Sequence, residues 1–95
     1  MNKIYIIILE YVFDSSTAST VNIIEMLNSI GHTLQLSEHS FLMASPDEAK
    51  IIRDAIKNSP YDIDRIFVSE VSSPSAWSNL VPDNSEIKKY LRNEL

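Results

Sequence analysis

The sequence predicts a single α+β domain in which two helices cover one face of a small antiparallel sheet. Three observations predict it. The chain opens on a continuous apolar, β-branched run, Ile4-Tyr5-Ile6-Ile7-Ile8-Leu9. Two later stretches, Val21 to Ile30 and Ala49 to Ile56, repeat apolar residues at helical spacing. Short alternating or β-branched runs fall between and after them, at Thr33 to Leu36, Ser40 to Met43 and Asp64 to Val71. The order is strand, helix, strand, strand, helix, strand, followed by a tail.

The opening run is too short for a typical helix and suits a strand buried on both faces, extended to about Phe13. Asp14 to Thr20 is polar and rich in capping residues, so it reads as a loop that starts a helix. In that helix Val21, Ile24, Leu27 and Ile30 form an apolar stripe with Ile23 beside it, and Asn22, Glu25 and Asn28 fall between. Gly31 ends it as a residue able to turn left-handed. The next two strands form a hairpin around Ser37-Glu38-His39, with no Asn-Gly or Asp-Gly pair to set the turn.

Ser45-Pro46-Asp47-Glu48 has the pattern of a capping box: a capping serine, proline at the first helical position, and glutamate three residues on. Ala49, Ile52, Ala55 and Ile56 then mark one apolar face, and Asn58-Ser59-Pro60 stops the helix. The last strand breaks at Ser72-Ser73-Pro74-Ser75. The tail holds Ala76, Trp77 and Leu80, then a short helix from Glu86 with Ile87, Tyr90 and Leu91 on one side. This arrangement is a ferredoxin-like β-α-β-β-α-β sandwich with a C-terminal tail helix, one domain over residues 1–95. In the first strand, Tyr5, Ile7 and Leu9 point opposite to Ile4, Ile6 and Ile8, and both sets are apolar. The second sheet face therefore needs a cover. Residues 72–95 supply it, or a partner subunit does, and a homodimer is expected.

Composition narrows the function classes. The chain has 95 residues, 44% hydrophobic and 22% charged, so it is one globular domain with little room for a deep enclosed pocket. A single glycine excludes glycine-rich phosphate-binding loops. The absence of cysteine excludes disulfide frameworks, thiol catalysis and cysteine-ligated zinc. The first apolar run is too short to span a bilayer and has no small-residue cleavage site after it, so no membrane segment and a cytoplasmic location are expected. The formal net charge is -5 and the basic residues are scattered, which argues against general nucleic-acid binding and leaves open a local site or a protein partner.

Three places in the chain carry a resemblance. Ile4 to Tyr11, the hairpin "LQLSEHSFLMAS" from Leu34 to Ser45, and the tail pieces Ser75-Ala76-Trp77-Ser78 and Lys89-Tyr90-Leu91 together resemble the CRISPR-associated protein 2 superfamily of small ferredoxin-like homodimers. Within it the chain looks like the short bacterial "SinR family" proteins and the GhoS-type antitoxin endoribonucleases. The resemblance covers most of the chain and rests on packing patterns. It implies a small dimeric interaction or regulatory protein of a bacterial defence, toxin-antitoxin or mobile-element system. The alternative it implies is a divalent-metal-dependent endonuclease acting on RNA or DNA. Nuclease members end the first strand with an aspartate that resembles a metal ligand at the dimer interface. Here the strand reads Leu9-Glu10-Tyr11-Val12-Phe13-Asp14, so Glu10 or Asp14 takes that place as candidate catalytic residue, with Glu10 as the candidate ligand for magnesium or manganese. No other cofactor is implied.

Each candidate also has a plainer reading. Glu10 is also what a water-facing strand end carries, and Asp14 is a cap or turn residue of the helix-start loop. His32 follows Gly31, where it favours the negative end of the helix dipole. His39 sits between Glu38 and Ser40, but neighbours in a turn diverge and do not make a triad. Lys50, Arg53 and Lys57 form a row on the outer side of the second helix, a solvated face or a phosphate contact. Trp77 and Leu80 anchor the tail on the sheet or at a subunit interface. A third reading, an acidic inhibitor that mimics nucleic acid, is permitted by the sign of the charge and little supported by its size.

Overall fold

The computed structural model describes residues 2–11, 20–61, 63–71 and 75–94. Asp14, Phe13 and the helix-start loop expected around them lie outside the described residues, as does most of the 72–75 strand break. The elements are β1 (Lys3–Tyr11), α1 (Thr20–Asn28), β2 (His32–Ser37), β3 (Ser40–Ser45), α2 (Ala49–Lys57), β4 (Ile63–Glu70) and α3 (Asn84–Leu91). The protein is α+β, with one four-stranded sheet in the order β2-β3-β1-β4. Each neighbouring pair is antiparallel. β1 and β2 therefore run the same way with β3 between them, and β3 and β4 run the same way with β1 between them.

The two faces of β1 divide the core. Tyr5, Ile7, Leu9 and Tyr11 join Phe41 and Met43 of β3 beneath the helices, where Ile23 and Leu27 of α1 and Ile52 and Ile56 of α2 cover them. Ile4 of β1 joins Leu36 of β2, Leu42 and Ala44 of β3, and Ile87 of α3 on the opposite face. Trp77, Leu80, Tyr90 and Leu91 pack against this second cluster. The tail thus covers the Ile4 end of the second face within the same chain. An apolar cavity of about 270 Å³ remains beneath it, lined by Ile6, Leu42, Trp77, Leu80, Ile87 and Leu91 among others. The Trp77 Nε1–H donates to Asn84 Oδ1 at 3.0 Å, tying the extended tail to the first turn of α3.

Several local expectations are corrected. The capping box does not form: α2 begins at Ala49, its N-cap is Glu48, and no side chain caps it. Ser45 is fully buried at the end of β3, and its Oγ accepts the Asp47 N–H at 3.2 Å, which turns the chain before the helix starts. The Tyr5 hydroxyl fixes the same turn by donating to the Asp47 carbonyl at 2.7 Å. Val21 is 64% exposed, and the buried stripe of α1 is Ile23 and Leu27. Ala55 is exposed, because α2 meets the core through Ile52 and Ile56, with Ala49 packed beside them. β1 is not buried on both faces along its whole length: Ile8 is 42% exposed.

Gly31 follows α1 without a left-handed backbone, since no glycine has positive φ. Its role is close approach. A Cβ there would sit 2.6 Å from the Ala44 carbonyl oxygen and 2.9 Å from Met43 Cγ. Backbone on β3 cannot yield as a flexible side-chain tip can, so Gly31→Ala must push α1 away from the sheet. We expect a loss of about 1–3 kcal/mol in urea denaturation, the usual cost of overpacking. An unchanged midpoint would show that the α1–β2 junction has slack the packing does not suggest.

Candidate functional site

The tail covers only part of the second sheet face. Toward the other end of β1, the even-numbered side chains emerge from under it. Ile8 pairs in register with Phe67 of β4, and Phe67 is 56% exposed. The next pair along is Glu10 with Arg65. Their side chains meet, Arg65 Nη1 donating to Glu10 Oε2 at 2.7 Å, with both groups largely in water. The Glu10 hydrogen bond holds the Arg65 guanidinium pKa above its ordinary value. An apolar pair with a charged pair beside it is the main feature of this open end.

Glu10 also lines a depression of about 350 Å³ with Ile8, Tyr11 and His39. The β2–β3 turn supplies His39, and the Leu9 N–H donates to the His39 carbonyl at 2.9 Å, which holds the turn against β1. The rings of Tyr11 and His39 meet edge to face, centroids 4.9 Å apart and planes 72° apart. The Tyr11 hydroxyl donates to the Glu38 carbonyl at 3.4 Å. Burial, and then the Glu38 charge, push the Tyr11 pKa up. Glu38 Oε1 stands 3.7 Å from His39 Nε2. The Ser40 hydroxyl is engaged with that of Ser37 across the turn.

The structure thus brings Glu10 and His39 to one depression; Asp14 lies outside the described residues, and His32, Trp77, Leu80 and the α2 cations lie elsewhere. His32 opens β2 and is exposed. Trp77 and Leu80 belong to the chain's own second core cluster. On α2, Arg53 Nη2 lies 2.8 Å from Asp54 Oδ1, and that hydrogen bond, with Lys50 and Lys57 also near, holds the Asp54 carboxyl below its ordinary range. Among the described residues, no group of three or more histidine, cysteine, aspartate or glutamate side chains could hold a metal ion. Glu10, the candidate ligand, is partnered by a cation instead.

Sequence reasoning missed Arg65, Ile8 and Phe67. Arg65 and Ser69 offered a partial signal, as polar residues on one face of β4, but Phe67 between them and Ile8 in an all-apolar run gave none. No family model, no curated protein and no solved structure matches this chain.

Proposed function

We propose that this chain works by binding, as a small dimeric interaction or regulatory protein of ferredoxin-like topology. One observation carries the reading: Ile8 and Phe67 lie side by side and exposed, next to a carboxylate whose charge Arg65 already answers. An exposed apolar pair with a polar rim is the composition of a protein-docking surface. The antiparallel order β2-β3-β1-β4 supports the ferredoxin-like assignment, and with it the resemblance to the CRISPR-associated protein 2 superfamily. A bacterial defence, toxin-antitoxin or mobile-element setting in the cytoplasm follows from that resemblance. No helix among the described residues is long and apolar enough to cross a membrane.

The competing reading is a metal-dependent nuclease built on Glu10. Arg65 already holds one oxygen of Glu10, and its guanidinium beside the carboxylate repels a cation that would bind there. The test is cleavage of single- and double-stranded RNA and DNA by the purified chain, with magnesium, manganese or chelator, beside Glu10→Ala. The expected result is no metal-dependent cleavage above the level of the variant. Metal-dependent cleavage that Glu10→Ala abolishes would overturn the binding reading and make Glu10 a ligand.

A further inference from the structure

We propose that the β4 edge pairs, antiparallel, with β4 of a second copy of this chain, across a two-fold axis at Val68. The proposal rests on the dimer in the reading above and names its edge and register. The two edges of the sheet are treated differently. At β2 the tail closes in, its Val81 N–H donating to the Leu36 carbonyl at 2.9 Å. Beyond β4, among the described residues, no strand follows. Unpaired edge groups are a template for another strand.

The phase of that edge follows from one bond. The Val71 N–H donates to the Ile4 carbonyl at 2.8 Å, so odd-numbered residues of this stretch aim their backbone groups at β1. Ile66, Val68 and Glu70 consequently aim theirs outward. A register shift opposite Glu10 and Tyr11 ends the regular edge near Asp64, which leaves 65–70 as the straight part.

Charge selects the partner and the register. One end of this edge carries three carboxylates against one cation: Glu70, Glu48 and Asp47 act on the Tyr5 phenol, with Lys3 opposing them. Farther along, a groove of about 270 Å³ between α2 and β4 is lined by Lys50, Arg53, Ile66 and Val68, with Ala49 and Phe67. An antiparallel two-fold sets the acidic end of each copy beside the groove of the other. With Val68 on the axis, Glu70 falls opposite Ile66 of the second copy, next to its Arg53. Moving the axis to Phe67 would set Glu70 against Asp64, two carboxylates face to face, which is unfavourable. Ile66 and Val68, which are only half-buried at the bare edge, gain a cover in the pairing.

The experiment is sedimentation velocity of the full chain over a dilution series, with Glu70→Lys, Arg53→Glu and the two combined, each checked for folding by far-UV circular dichroism. All the altered side chains are exposed. The expected result is a wild-type dimer, about tenfold weaker in each single variant, since each places like charges together twice per dimer, and restored in the double variant. A wild-type dimer indifferent to both single changes, or a double variant no tighter than the singles, would overturn the β4 pairing and leave the dimer standing on another surface. A wild-type monomer at every concentration would overturn both.

Discussion

Phe41→Ala is expected to cost about 3–5 kcal/mol, the range for truncating a buried aromatic side chain. Phe41 is fully buried in β3. It pairs in register with Ile7 of β1 on one side and Gln35 of β2 on the other, and its ring joins the cluster that Ile23, Leu27, Ile52 and Ile56 close from above. Truncation leaves a void at the meeting point of both helices and the sheet, where neither helix can move in without leaving its other contacts. A domain of this size is stabilised by only about 5–15 kcal/mol in total, so the variant should unfold at a much lower urea concentration with an unchanged slope. A loss under about 1 kcal/mol would mean that the helices collapse onto the site, and that the layer is far softer than its burial implies.

That layer was the most legible part of the chain. Strands with β-branched runs and helices with apolar stripes announce themselves through periods of two and of about three and a half, and β1, β3 and α2 lie close to where those periods place them. Boundaries and caps were less legible, because they depend on which hydroxyl a turn uses first. Ser45 has the right sequence context to cap a helix, but its position at the end of a buried strand commits its oxygen to the Asp47 N–H. Gly31 is similar: only the tertiary approach of β3 shows why a side chain is not accommodated there.

The candidate site was half legible. Glu10 stands out as the first charge after an apolar strand. Arg65 lies 55 residues further on, and only the β1–β4 register brings its guanidinium to that carboxylate and changes the meaning of both. The same pairing sets Phe67 beside Ile8. A strand that reads as apolar throughout can be buried at one end and bare at the other, because its cover comes from a tail of finite reach. Period alone cannot report where that cover stops.

Ile87→Ala tests that cover, and its expected cost is about 2–5 kcal/mol. Ile87 is the buried residue of α3, 2% exposed, and it seats the helix on Ile4, Leu36, Leu42 and Ala44. The other anchors, Trp77, Leu80, Tyr90 and Leu91, are only partly buried, so they cannot hold the tail as firmly. Trp77 is the only tryptophan in the chain and reports on the tail directly. If tail and sheet unfold as one unit, tryptophan fluorescence and far-UV circular dichroism will shift together to lower urea. If the tail is a separable element, the fluorescence transition alone will move, and the dichroism transition will follow later with the helix-side core intact. An effect on neither signal would mean that Ile87 does not carry the docking. The separable outcome has a structural consequence: a tail that lifts would extend the bare Ile8–Phe67 end into one apolar face running along β1 to Ile4, enlarging the surface proposed above for docking.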